Sequence, residues 1–169
     1  MRIAVLGAGA YGYALGEILE ENGQEVAYFD PKIKDCSLNG VLEGAEYILL
    51  AVPSEAVEKL LKKLPKNVPL IVATKGILTT EVFTEFKKYM VVSGPGFAKD
   101  IKAKKLTRLT ATDAKVAELL AADFITFDFT SDKQGVLMCG ALKNVYAIYA
   151  GMLGIKPGTA KHKLYIVAP

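Results

Sequence analysis

Two lysines stand where a plain surface charge is a poor explanation. In "CGALKNVYAIYAG" (139–151), Lys143 and Asn144 interrupt a run that otherwise reads as one buried helix. In "ATKG" (73–76), Lys75 follows a short apolar strand and precedes a turn glycine. An ammonium in apolar surroundings can hold an anion or exchange a proton near neutral pH. The plainer alternatives are a lysine that snorkels to the surface and an asparagine that caps a turn. On a helix, the neighbours of Lys143 three and four positions away are Cys139, Gly140, Tyr146 and Ala147. Three of these are small, which either leaves room for a ligand beside the ammonium or lets another helix approach closely.

A second constellation is "GAGAYG" (7–12), a G-x-G-x-x-G directly after an apolar strand and at the mouth of a helix. In that context each glycine has a distinct use. Gly7 permits the tight turn, Gly9 allows close approach of a pyrophosphate, and Gly12 lets the helix pack on the strand. The phosphates would rest on free N–H groups at the positive end of the helix, those of Ala10 and Tyr11 among them. Asp30 lies 18 residues after Gly12 at the end of the next strand pattern, where such domains place the carboxylate that holds an adenosine ribose. A carboxylate there accepts from the ribose diol and repels a 2′-phosphate, so the expected cofactor is NAD. Lys32 and Lys34 follow closely and leave NADP open. A tight turn at the glycines and a plain Asp-Pro turn at residues 30–31 are the readings without a ligand.

These residues need a scaffold of alternating strands and helices, and the pattern supplies one. Strands are expected at 2–7, 25–29, 46–52, 68–74, 90–94, 106–112 and 124–130, and helices at 10–23, 54–64, 80–89 and 114–122. Continuous apolar strands such as 48–52 belong to a largely parallel sheet covered on both faces. The expected class is α/β, Rossmann-like and doubly wound, with a mostly parallel sheet. After Ser131 everything reads as helical, which divides the chain into 1–131 and 132–169.

Composition narrows the function classes. A chain of 169 residues, 51% hydrophobic and 23% charged, holds a sizeable core and is not disordered. A net charge of +3 is too small to imply nucleic acid, and the basic run 99–105 reads most simply as a solvated face. Cys36 and Cys139 lack metal-ligand spacing and are read as reduced thiols. His162 has no companions at ligand spacing, so no metal is expected. The apolar run 136–155 contains Lys143, Asn144 and glycines, so a membrane span is not expected, and neither is a leader segment. The location expected is cytoplasmic.

Three more stretches fall at strand ends: "AVPS" (51–54), "ATKG" (73–76) and "SGPGFAKD" (93–100). With "GAGAYG" and "GALKN" in this order, the chain from residue 1 to about residue 164 resembles the NAD(P)-dependent glycerol-3-phosphate dehydrogenase family. The resemblance implies hydride transfer between a nicotinamide and C2 of dihydroxyacetone phosphate or glycerol 3-phosphate. It makes Lys143 the general acid–base and sets Lys75 between cofactor and substrate. It places Gly94 and Gly96 beside the substrate, Ala98 beside the cofactor, and Asn144 as an orienting group for the substrate or for Lys143. Where the family usually has serine or threonine, this chain has Gly96, so one hydroxyl donor is absent.

The family continues with a helical substrate domain, and this sequence reaches only its first helices, with Thr159 where asparagine is usual. The helix expected at 135–154 would then expose an apolar face of Val136, Leu137, Leu142, Ile148, Met152 and Leu153. Self-association or a missing C-terminal domain is expected to cover it, and activity of the chain as given is expected to be low or absent. Two alternatives stand beside the dehydrogenase. One is a catalytically idle dinucleotide-binding module or subunit; the other is a related dehydrogenase acting on another small 2-oxo or 2-hydroxy compound.

Overall fold

Alternation along the first strand sets the layering. In β1 (Arg2–Leu6), Ile3 and Val5 point to one face of a sheet and Ala4 and Leu6 to the other, all fully buried. The computed structural model describes residues 1–34 and 36–154. After β1 come α1 (Ala10–Glu21), β2 (Glu25–Phe29), α2 (Leu38–Leu42), β3 (Tyr47–Leu50), α3 (Ser54–Leu61) and β4 (Leu70–Val72). Then follow β5 (Tyr89–Ser93), α4 (Ala98–Lys102), β6 (Thr107–Ala111), α5 (Ala114–Leu119), β7 (Ile125–Phe129) and α6 (Lys133–Met152).

The seven strands form one sheet in the order β2-β1-β3-β4-β5-β6-β7. All pairings are parallel except β5 with β6, where Val92 faces Ala111 and Ser93 faces Thr110. The doubly wound, mostly parallel architecture is therefore present. One core layer joins Ile3 and Val5 to Leu15, Ile18 and Leu19 of α1 and to Leu109 and Val116. The other joins Ala4, Leu6, Ile48 and Leu50 to Val57, Leu61 and Phe83. Among the described residues no helix is long and apolar enough to cross a membrane.

The fold departs from the sequence pattern in several places. The helix expected over 80–89 is a single 3₁₀ turn, Thr80–Phe83, and Tyr89 already belongs to β5. Thr80, Val82 and Thr84 are poor helix formers, and Phe83 at the end of the 3₁₀ turn and Phe86 just beyond it are both buried. Short α2 lies in a stretch to which the sequence pattern assigns no element; Ser37 caps it by accepting from the Gly40 N–H at 3.1 Å. The basic run 99–105 overlaps α4, and three of its four lysines are paired with acids: Lys102 with Glu17 (3.4 Å), Lys104 with Glu21 (2.9 Å) and Lys105 with Asp100 (3.1 Å). The face expected on the last helix is smaller than its sequence implies. Val136 and Leu137 are buried against the sheet, whereas Leu142, Ile148, Met152 and Leu153 are exposed, together with Val145 and Tyr149. The expectations for Thr159 and His162 lie outside the described residues.

Asn22, the C-cap of α1, does more than stop a helix. Its Nδ2 donates to the carbonyls of Leu119 (3.0 Å) and Ala121 (2.9 Å), tying α1 to the end of α5. Asn22→Ala is expected to lower stability by roughly 1 kcal/mol, read as a fall in the urea midpoint at unchanged slope. An unmoved midpoint would show that the tie contributes nothing.

Candidate active site

The glycine loop joins β1 to α1. Gly7 has φ +99°, and its N–H donates to the Phe29 carbonyl at 2.8 Å. A Cβ at Gly7 would lie 2.6 Å from the Ala51 carbonyl oxygen, and one at Gly12 would run into the Gly7 carbonyl. The loop is thus locked between β1 and the end of β3, the point where the chain order reverses across the sheet. Gly9 is different: nothing lies within 4 Å of where its Cβ would be. It is the N-cap of α1, no side chain caps that end, and the first turn carries no acid. The N–H groups of Ala10 and Tyr11 therefore begin a helix whose positive end is open, an arrangement that fits a pyrophosphate.

Asp30 follows β2 and borders a cleft of about 550 Å³ that it shares with Gly7, Val52 and Pro53. Its Oδ1 accepts the Lys32 N–H at 3.0 Å. The same cleft is lined by Lys59 of α3 and by Lys63 just beyond it, neither of which the sequence singles out.

Lys75 lies just beyond β4. Thr74, buried, donates to the Leu50 carbonyl at 3.2 Å, and Gly76 turns the chain with φ +144°. The Lys75 Nζ sits 3.9 Å from the centre of the Tyr11 ring, a cation–π contact. Burial lowers the pKa of Lys75 and pushes the Tyr11 phenol up to about 12; the buried Tyr11 hydroxyl has no hydrogen-bond partner among the described residues. No signal in "GAGAYG" marks its tyrosine as a platform for a lysine 64 positions later.

Lys143 is only 9% exposed. Its Nζ donates to the Gly94 carbonyl at the end of β5. Burial, and then repulsion by the Lys75 charge, lower its pKa to about 8. Lys75, Lys143, Tyr11 and Gly94 are thus brought together at the carboxyl ends of β4 and β5, beside the glycine loop. Cys139 and Lys143 also line a cavity of about 290 Å³ with Ser93, Thr110, Thr130 and Asp132.

The small residues around Lys143 serve packing as well as space. A Cβ at Gly140 would lie 2.7 Å from the Ser93 hydroxyl, so α6 rides directly on the end of β5. Gly94 and Gly96 are similarly confined, with Arg108 backbone 2.5 Å from a Cβ at 94 and the Thr107 methyl 2.7 Å from one at 96. A serine or threonine at position 96 would have to displace Thr107, which gives a physical reason for the glycine. Ala98 opens α4 with Phe97 as its N-cap. Asn144 lies in α6, and its side chain is outside the described residues. Among the described residues no group of three or more His, Cys, Asp or Glu could hold a metal ion.

Comparison with known proteins agrees with this geometry. The family model described as the NAD-dependent glycerol-3-phosphate dehydrogenase N-terminus matches residues 2–39 and 29–118. Glycerol-3-phosphate dehydrogenase [NAD(P)+] of Lactobacillus helveticus is 32% identical over 90% of this chain and 60% of its own. A Lactobacillus delbrueckii subsp. bulgaricus enzyme named glycerol-3-phosphate dehydrogenase [NAD(P)+] 1 is 30% identical with the same coverage. The crystal structure of glycerol-3-phosphate dehydrogenase from Coxiella burnetii superposes with a TM-score of 0.76 at 26% identity, covering 90% of this chain and 61% of that one. The chain spans about 60% of the length of these curated relatives. On the family match, which runs through both the glycine loop and the two strand ends that carry Lys75 and Gly94, the chain belongs to the NAD-dependent glycerol-3-phosphate dehydrogenase N-terminal family.

Proposed function

We propose that this chain provides the dinucleotide-binding and proton-transfer parts of an oxidoreductase that interconverts glycerol 3-phosphate and dihydroxyacetone phosphate with NAD(P), Lys143 being the general acid–base. The single observation that carries this reading is the buried Lys143 ammonium with its lowered pKa, facing Lys75, with no carboxylate among the described residues paired to either. Residues 1–131 are the dinucleotide-binding unit in this reading, and 132–169 open a helical substrate unit. The exposed face of α6 is covered by a second copy or by a further domain, and the protein works in the cytoplasm.

The bound nicotinamide supplies the hydride. Everything else falls to the chain's own side chains. As the ketone gains a hydride its oxygen becomes an alkoxide, and Lys143 delivers the proton; in the other direction it accepts one. An amine with a pKa of about 8 can do either near neutral pH. Of its three N–H groups one is committed to Gly94, which fixes the direction in which the others point. Lys75, held on the Tyr11 ring, contributes a fixed positive charge where negative charge develops. Asn144 orients the substrate or Lys143, and Gly94, Gly96 and Ala98 border the substrate and cofactor through their backbone.

Two outcomes test the assignment. NADH oxidation with dihydroxyacetone phosphate should fall about 10²–10⁴-fold in Lys143→Ala, with NADH affinity unchanged by fluorescence titration. Reduction needs the ammonium, so kcat/KM should decline as pH rises through about 8, and oxidation, which needs the amine, should rise through the same range. A mutant as active as the native chain, or a native chain that binds NADH but never turns over, would remove the catalytic role and favour an idle nucleotide-binding module.

Stability gives an independent reading. The folded pKa of Lys143 lies below its ordinary 10.5, so between about 8 and 10.5 the unfolded chain binds more protons and stability rises with pH. Lys143→Met should therefore stabilise the protein at pH 7 by roughly 1–3 kcal/mol, the gain shrinking as pH climbs through that window. Equal stability of the two proteins at every pH would mean that the ammonium is not held in a desolvated place.

A further inference from the structure

A general acid that gives its proton to an alkoxide must regain one from water before it can act again, and Lys143 is only 9% exposed. Its side toward the glycine loop is a poor route. The Lys75 charge repels an incoming proton there, and a bound dinucleotide and substrate would fill the space. Another side of Lys143 opens on the cavity of about 290 Å³, whose lining includes neither Lys75 nor any residue of the glycine loop. This cavity is polar on both walls, although the neighbouring contact of α6 with the sheet, at Val136 and Leu137, is apolar. Asp132, Cys139 and Lys143 follow one another at helical spacing along one face of α6. Opposite them stand the hydroxyls of Ser93 and Thr110, paired across β5 and β6, and that of Thr130 just beyond β7. The Thr130 hydroxyl accepts the Asp132 N–H at 3.1 Å, whereas the hydroxyls of Ser93 and Thr110 bond to no other described residue. Unspent hydroxyls facing a space of this size suit a few ordered waters. Asp132 and Cys139 are exposed and Lys143 is buried, so the space leads from solvent to the ammonium. At its outer end the Asp132 carboxylate, which spends Oδ1 on the Gly135 N–H at 2.8 Å, favours an incoming positive charge.

We propose that this cavity is a side route for protons, in which water held along Asp132, Thr130, Thr110 and Ser93 returns a proton from solvent to the Lys143 amine while the cleft on the other side stays filled. This rests on reading Lys143 as the general acid–base. Lys143 has three N–H groups to distribute: one goes to the Gly94 carbonyl, one meets the substrate oxygen, and the third faces the cavity. A proton enters from bulk water at the Asp132 end, each hydrogen-bonded member passes one on, and the amine becomes ammonium again. When the alcohol is oxidised, the same chain runs outward. No electron changes hands, and water is the only co-reactant. Asp132, Thr130, Thr110 and Ser93 are relay and positioning groups that never touch the substrate.

The test uses the full chain and two variants, with Lys143→Ala as reference. Thr110→Val keeps the volume and removes a relay hydroxyl; Cys139→Leu plugs the cavity from an exposed helix position, and circular dichroism checks that both keep the fold. In NADH oxidation with dihydroxyacetone phosphate, kcat should fall about tenfold or more in both variants, with KM and NADH affinity unchanged. The solvent deuterium isotope effect on kcat should rise in both, and added imidazole should restore the Thr110→Val rate in proportion to its concentration. A purely structural defect would move neither readout. A second measurement needs no turnover. With NADH bound, methylation of Lys143 by formaldehyde and cyanoborohydride, read by mass spectrometry, should proceed in the native chain and in Thr110→Val and slow several-fold in Cys139→Leu. Variants as fast as the native chain, a lower kcat with an unchanged isotope effect, or methylation equal in the native chain and Cys139→Leu would overturn the side route and leave Lys143 as acid–base. Lys143→Ala as active as the native chain would overturn the acid–base reading itself, and the side route with it.

Discussion

Two like charges share one desolvated space in this molecule, and the site is organised around that fact. Lys75 and Lys143 are both withdrawn from water, neither is paired with a carboxylate among the described residues, and the charge of one lowers the pKa of the other. Such an arrangement works against folding, because a buried ammonium is tolerated only where polar partners or an aromatic face compensate it. Here the compensation is minimal: one carbonyl, that of Gly94, and one ring, that of Tyr11. An anion placed between them would satisfy both cations at once, so the cost built into the fold would be recovered on binding one.

That exchange depends on rigid strand ends. Lys75 is set by the parallel ladder of β3 and β4, by the Thr74 bond to the Leu50 carbonyl and by the turn at Gly76. Gly94 is set by the β5–β6 pairing, where Arg108 and Leu109 press against it. Tyr11 is set by the glycine loop, itself wedged against Ala51. The antiparallel pairing of β6 with β5 thus has a positioning role. It braces the one carbonyl that holds Lys143, and it also excludes a side chain from position 96.

Much of this is legible in the sequence, and what is hidden has physical causes. Strands such as 2–7 and 25–29 are apolar runs bounded by turn residues, and local periodicity suffices to find them. The glycine loop is legible because a backbone constraint leaves glycine no substitute, as the collisions at Gly7 and Gly12 show. Lys75 and Lys143 stand out as charges in apolar stretches. The turn at 80–83 reads wrongly as a longer helix because the spacing of Phe83 and Phe86 suits a helix face, whereas both are buried from a 3₁₀ turn and the loop after it. The Tyr11–Lys75 contact and the position of Lys59 and Lys63 beside Asp30 are invisible for a different reason. They join residues whose relation is created by sheet order, and no local pattern encodes which strand ends become neighbours.

Helix α6 shows how a local cap and a distant ammonium become coupled. Its first turns are fastened firmly: Asp132 accepts the Gly135 N–H at 2.8 Å, and Gln134 accepts from the Thr80 N–H at 2.9 Å and donates to the Leu78 carbonyl at 3.3 Å. Val136 and Leu137 then enter the core, and Gly140 lets the helix close on Ser93. Lys143 follows Gly140 by three residues, so its ammonium is placed both by the seating of the helix on the strand end and by its own bond to the Gly94 carbonyl. Beyond it, Val145, Ile148, Tyr149 and Met152 are exposed. The anchored part of the helix carries the buried ammonium, whereas its continuation exposes a run of apolar side chains. The placement of the Lys143 ammonium and the exposed apolar face are therefore consequences of one element.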